Sequence, residues 1–131
     1  MNPMLALRQY QKVNGAAQTS EASPHRLVQM LMQGGLDRIA QAKGAMARND
    51  VAQRGELIGK AIGIVGGLRE GLDLDNHSDT LAELDSLYTY MSRRLVEANA
   101  KNDPAILDEV ARLLITVKEG WDQVGDPAQA L

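Results

Sequence analysis

The sequence predicts an all-α protein, an antiparallel up-down four-helix bundle with a short N-terminal helical lid. Apolar residues recur at three- and four-residue steps through most of the chain, which is the period of a helix face. Strand-like alternation is missing, and there is no phenylalanine and one tryptophan, so aliphatic side chains must build the core. Four such segments joined by short polar connections favour antiparallel neighbours.

The chain of 131 residues is predicted to be one domain with four parts. Residues 1–13 form the lid, a helix so short that it must dock on something to be stable. Residues 14–22 are a linker, residues 23–124 the bundle, and residues 125–131 a tail that frays because it has little to bury. The lid carries apolar side chains at roughly helical spacing: Met4, Leu7, Tyr10 and Val13.

The first long helix is predicted to begin at Ser23, a favourable N-cap, with Pro24 at the first helical position. It should end near Asn49. Gly34 and Gly35 fall inside it and should let a neighbouring backbone come close. Its expected core face is an apolar stripe: Leu27, Val28, Leu31, Gly35, Ile39, Ala42 and Met46.

The second long helix is unusual because glycine recurs every four residues along it. The series is Gly55, Gly59, Gly63, Gly67 and Gly71, with Gly66 added. Each glycine costs a helix interior about 1 kcal/mol relative to alanine, so we expect this to be the softest long helix. A helical wheel places the glycines mainly opposite the bulky apolar side chains. They are therefore expected on the outer, polar side of the helix, where they either form a smooth surface for a partner or simply soften a packed helix.

Two further helices complete the predicted bundle. The third should begin at Ser78 or Asp79 and end within residues 99–102, while Asp103 caps the fourth and Pro104 opens it. The apolar face of the third helix is expected at Leu81, Leu84, Tyr88, Met91, Leu95 and Ala98. The core stripe of the fourth follows bundle-like spacing, at Leu107, Val110, Leu114, Val117, Trp121 and Val124.

Composition and charge exclude several classes of function. The net charge is −3 and the basic residues are scattered, so nucleic acid is a poor candidate partner. No cysteine is present, which fits a reducing compartment. No apolar run is long enough for membrane insertion, and the N-terminus does not read as a signal peptide, so we expect a cytoplasmic location.

The sequence offers no set of residues for catalysis, a metal or a cofactor. Its two histidines, His25 and His77, are expected to be solvated and lack acids at ligand spacing. The loop 73–79 has alternating acids, but it lacks the central glycine and closing glutamate of a calcium loop and is interpreted as a capping loop. We therefore predict that the protein is not an enzyme and has no cofactor.

An excess of apolar surface is the positive functional signal. The third helix carries more apolar residues than one stripe needs, and in the first helix Met30, Met32 and Leu36 are expected to lie off the core face. Adaptable methionines suit a groove that accepts a helical or extended peptide. The alternative is that both helices are simply broad-faced members of the bundle.

Several runs, in this order and spacing, resemble one known family over nearly the whole chain. They are Tyr10-Gln11, Ser23-Pro24-x-x-Leu27-Val28, the segment 30–36 (MLMQGGL), Lys60-Ala61 followed by Leu68 and Leu72-Asp73, the segment 87–99 (LYTYMSRRLVEAN), Leu107-Asp108-Glu109-Val110 and Trp121. The family is that of the flagellin export chaperones of bacterial flagellar secretion, the FliS family. Met32 stands where an aromatic is usual, and 76–78 replaces a frequent glycine pair.

The resemblance implies a cytoplasmic chaperone that binds the C-terminal segment of flagellin, keeps it from polymerising and helps deliver it to the flagellar export gate. It also implies that the N-terminal segment can cover part of the client groove. A helical adaptor for another flagellar component is the alternative, and a homodimer remains possible. The predicted client-binding residues are Met4, Leu7, Tyr10, Val13, Met30, Met32, Leu36, Leu87, Tyr88, Tyr90, Met91 and Leu95.

Overall fold

Residues 22–72 and 78–125 are described by a computed structural model, and every regular element within them is an α-helix. The helices are α1 (Pro24–Ala47), α2 (Val51–Glu70), α3 (Asp79–Lys101) and α4 (Pro104–Val124). Each packs on its sequence neighbours, and α4 also packs on α1, which closes the ring. The predicted all-α four-helix bundle is confirmed. The lid, nearly all of the linker and the tail beyond residue 125 lie outside the described residues.

Side-chain caps fix where the helices begin. Ser23, Asp50, Ser78 and Asp103 each accept a hydrogen bond from a backbone N–H two or three residues further along the chain. Such caps satisfy donors that the first turn of a helix cannot pair internally. Because this chemistry is local, the sequence predicted the starts of α1, α3 and α4 correctly.

Two asparagines turn the chain sharply at one end of the bundle. Asn49 after α1 and Asn102 after α3 are left-handed, with φ of 58° and 51°. In each turn the backbone N–H of the residue after the asparagine donates to a carbonyl in the last turns of the preceding helix. Asp50 donates to Ala45, and Asp103 donates to Ala98. Bonds of this pattern satisfy the last carbonyls of a helix. We call this the closed end of the bundle.

Arg54 adds side-chain bonds at the closed end. Its Nε donates to Oδ1 of Asn99 at 2.9 Å, and its Nη1 donates to Oδ1 of Asn102 at 2.8 Å. The start of α2 is thereby bound to the end of α3.

A charged network joins α3 to α4 further along. Arg94 donates to Glu109 at 2.7 Å and to Glu97 at 2.5 Å, and the hydroxyl of Tyr90 donates to the other oxygen of Glu109 at 2.7 Å. These contacts lower the pKa of Glu109, with the bond from Arg94 as the largest cause and that from Tyr90 next. The network adds polar bonds to the apolar packing of the two helices.

The core differs from the predicted stripes at two positions of α1. Met32 was expected off the core face, but it is 1% exposed and belongs to the main cluster, so that prediction is wrong. At Gly35 the close approach is made by side chains rather than by a backbone. An added Cβ would lie 3.1 Å from Cδ2 of Leu114 and 3.5 Å from Cγ2 of Ile64. The absent side chain therefore makes room for α2 and α4.

The glycine series of α2 does not stay on one face. A Cβ added at Gly55 or Gly59 would meet nothing within 4 Å, as the outer-face prediction requires. Gly67, in contrast, is buried, which overturns that prediction for this position. The reason is geometric: four residues overrun a 3.6-residue turn by about 40°, so the series winds from solvent toward the core.

Candidate binding cleft

An apolar cleft of about 550 Å³ opens at the end of the bundle opposite the asparagine turns. It lies where α1 and α3 begin and α2 and α4 end, so all four helices contribute to its walls. The lining is aliphatic and aromatic, with two threonines and two glycines and no charged residue: Val28, Met32, Leu68, Gly71, Leu72, Thr80, Leu81, Leu84, Tyr88, Thr116, Val117, Gly120, Trp121 and Val124.

The cleft exists because the core stripes of α3 and α4 continue past the packed part of the bundle. In mid-helix, Leu95 and Leu114 are fully buried. Toward the cleft, Leu84 and Val117 are only partly buried, and Val124 is 72% exposed. The prediction that Val124 belongs to the core is therefore wrong. Side chains with core chemistry pack there against the core on one side and leave part of their apolar surface uncovered by the described residues.

Tyr88 closes the floor of the cleft. It is 3% exposed, and burial raises the pKa of its phenol to about 12. The side chain therefore stays neutral at physiological pH and adds no charge to the apolar lining.

His25 and Trp121 join α1 to α4 beside the cleft. Their rings stack with centroids 4.9 Å apart and planes at 11°. Nε2 of His25 lies 2.9 Å from the carbonyl oxygen of Trp121, and the indole Nε1 of Trp121 donates to the carbonyl oxygen of His25 at 3.0 Å. His25 is 8% exposed, so the prediction of a solvated histidine is wrong: a stacking partner 96 residues away covers it. His77 lies outside the described residues.

Polar contacts flank the apolar lining. On the α1–α4 side, Asp122 accepts from Gln29 at 2.6 Å and from Lys118 at 2.9 Å, and these bonds lower its pKa, the one from Lys118 most. Between α2 and α3, Arg69 donates to Asp85 at 2.6 Å. The charges are thus paired with one another and leave the cleft itself uncharged.

The structure does not gather the predicted client-binding residues on one surface. Met32 and Tyr88 line the cleft. Met30 borders a separate, more polar depression, and Leu87 borders another. Leu36 is partly buried against the core. The four predicted residues of the lid, Met4, Leu7, Tyr10 and Val13, lie outside the described residues.

Three predicted residues of α3 are engaged inside the bundle. Met91 and Leu95 have no exposed surface, and the hydroxyl of Tyr90 is bonded to Glu109. In this conformation neither Met91 nor Leu95 can contact a client.

The sequence analysis assigned most of the other large cleft residues to the apolar faces of the first, third and fourth helices: Val28, Leu81, Leu84, Val117, Trp121 and Val124. The available signal was their position, because all of them fall near helix ends that share one end of an up-down bundle. That signal depends on knowing the topology first.

Residues 22–72 and 78–125 contain neither a metal-binding cluster nor a membrane span. No three His, Asp or Glu side chains there are grouped to hold a metal ion. None of the four helices is long and apolar enough to cross a membrane.

A small antiparallel bundle with an uncharged apolar cleft at one end defines a helical binding protein. Comparison with known proteins gives the family. The model described as Flagellar protein FliS matches residues 6–128. The chain belongs to the FliS family, as the resemblance predicted.

Similar curated proteins carry names that agree with this. A flagellar secretion chaperone FliSB from Pseudomonas aeruginosa is 57% identical over 124 residues, which cover 95% of this chain and 98% of the relative. Flagellar secretion chaperones FliS from Vibrio cholerae and Salmonella typhimurium are 41% and 36% identical, over 91% and 93% of this chain and 88% and 91% of their own. These relatives are named as chaperones, not as enzymes.

Proposed function

We propose that this protein is a flagellar secretion chaperone that binds the C-terminal segment of flagellin in the cleft formed by its four helix ends. It keeps that segment from polymerising in the cytoplasm and helps deliver it to the flagellar export gate. The protein performs no catalysis and needs no cofactor. The observation that carries the assignment to the cleft is its continuous apolar lining, which is open to solvent and free of charge.

The lining suits an amphipathic segment that is disordered when free. Burying one large aliphatic side chain contributes roughly 1.5–3 kcal/mol, so three of them contribute about 5–9 kcal/mol before the segment's ordering cost is subtracted. The remaining binding free energy corresponds to a reversible complex. A chaperone needs such a complex because it must release its client. The cleft covers the apolar residues that would otherwise drive assembly.

The lid is proposed to compete with the client. Residues 22–23 enter α1 next to the cleft residue Val28, so a short apolar segment ahead of them is within reach of the lining. Its residues Met4, Leu7, Tyr10 and Val13 would then occupy the cleft until flagellin displaces them.

Placing a carboxylate in the cleft tests the assignment. Leu81 lines the cleft from the first turn of α3, where an acidic residue is favourable for the helix, so Leu81→Asp should fold. We expect it to weaken binding of a flagellin C-terminal peptide at least tenfold by isothermal titration calorimetry, because the charge would be desolvated beside the client.

Val96→Asp is the matched control. Val96 is on the same helix, 58% exposed and outside the cleft lining. It should leave affinity within about twofold of wild type, since surface substitutions have small effects. Equal losses in the two variants would contradict the cleft as the client site. Absence of saturable binding by wild type at micromolar concentrations would contradict flagellin as the client.

A further inference from the structure

We propose that His25 is a positioning residue for client binding, acting through Trp121. The inference rests on the proposed function and adds a residue to it. His25 is not part of the cleft lining, whereas Trp121 is. In this proposal His25 acts on the client through the indole that it contacts.

The contacts of His25 fix Trp121 in three ways. The imidazole stacks on the indole, with ring planes 11° apart, which limits rotation of the indole about its side-chain bonds. The carbonyl of His25 accepts from the indole Nε1 at 3.0 Å, which sets the direction of the ring. The carbonyl of Trp121 lies 2.9 Å from Nε2 of His25, and because a carbonyl only accepts, this nitrogen must donate.

The third contact also completes the end of α4. Trp121 lies in the last turn of α4, where backbone carbonyls lack partners within the helix. The side chain of His25 supplies a donor for one of them. The same side chain therefore orients the indole and also holds the backbone of the residue that carries it.

Nearby bonds hold the two backbones together but do not touch the indole. Gln29 donates to Asp122, and Lys118 donates to the same carboxylate. If His25 were shortened, α1 and α4 would stay joined and the indole would keep its bond to the backbone carbonyl of residue 25, but without the stacked imidazole it would have access to other rotamers. Only a fraction of the molecules would then hold Trp121 in the orientation that binds the client, and the apparent affinity would fall in proportion to that fraction.

The test is a set of variants read by two methods. Trp121 is the only tryptophan of the chain, so its fluorescence anisotropy decay reports the motion of this indole alone. We expect His25→Ala to increase indole motion in the free protein. We expect the same variant to weaken binding of the flagellin C-terminal peptide roughly three- to tenfold. His25→Gln keeps an N–H donor and should recover part of both losses.

A double-mutant cycle decides whether the effect passes through Trp121. His25→Ala should cost little further affinity when Trp121→Ala is already present, because the group it positions is gone. Additive losses would overturn the proposal. So would a freely moving indole in His25→Ala combined with unchanged affinity, or an indole whose motion does not change.

Arg54→Ala is the control for general loss of stability. It removes two side-chain hydrogen bonds between helices at the closed end of the bundle, away from the cleft. It should lower the melting temperature and leave client affinity unchanged; an affinity loss equal to that of His25→Ala would overturn the proposal. If wild type does not bind the peptide, the proposed function fails, and the anisotropy comparison alone then decides whether His25 holds Trp121.

Discussion

Gly59 and Gly35 have opposite surroundings, so alanine substitutions at the two positions should change stability in opposite directions. At Gly59 a Cβ would meet open space within a regular helix, so Gly59→Ala should raise the free energy of unfolding by about 0.5–1 kcal/mol. At Gly35 a Cβ would press on Leu114, which is fully buried, so Gly35→Ala should lower it by about 1 kcal/mol. Urea unfolding of both variants checks the pair. A stabilised Gly35→Ala would show that Leu114 has room to move.

Individual residues also show which features could be predicted from the sequence and which could not. The caps at Ser23, Ser78 and Asp103 were predictable because the bonding atoms lie two or three residues apart. The burial of His25 was not, because its partner, Trp121, is 96 residues away and nothing local marks the pair. Met32 was misplaced because the broad face of α1 packs into the core over a wider angle than its main stripe covers.

At the scale of elements, a charged network adds to the apolar contact between α3 and α4. Glu109 of α4 accepts from Arg94 and Tyr90 of α3, and its pKa is lowered in the folded protein. A carboxylate with a lowered folded-state pKa stabilises the fold above its unfolded value. That contribution disappears as the pH falls through the lowered pKa.

Glu109→Gln should therefore be less stable than wild type at neutral pH. The difference should shrink as the pH falls below 4.5, the ordinary value for glutamate, because wild type then loses the same charge. Urea unfolding over a pH series measures it. Glu56→Gln is the control, since its ion pair with Lys60 lies within α2, is 3.4 Å long and should contribute little at any pH. A difference between Glu109→Gln and wild type that persists in acid would contradict the electrostatic origin.

At the scale of the whole molecule, the cleft and the N-terminal segment are expected to act on the same equilibrium. Deleting residues 2–16 should strengthen binding of the flagellin C-terminal peptide several-fold, because a cleft that the lid no longer occupies is fully available to the client. Calorimetry gives the affinity, and thermal unfolding gives the stability of the truncated chain. A loss of bundle stability with no direct effect on client affinity would count against the lid.

The topology was predictable from the sequence, but the location of the cleft was not. Helical periodicity and capping residues were enough for four antiparallel helices, because both signals are local. The cleft forms where the apolar faces of the four helices no longer cover one another, and that place depends on how the helices pack. Leu84 and Val117 are the residue types that build a core. Only their position at the cleft end of the bundle leaves them partly exposed.

The two left-handed asparagines have a consequence for how a client leaves. Asn49 and Asn102 join the helices into two hairpins, both closed at the end away from the cleft. Fraying of the helix tips around a client is then a local opening that leaves those turns and their hydrogen bonds intact. We therefore expect that a client bound in the cleft is handed over without unfolding its carrier, and that the empty chaperone needs no refolding before its next cycle.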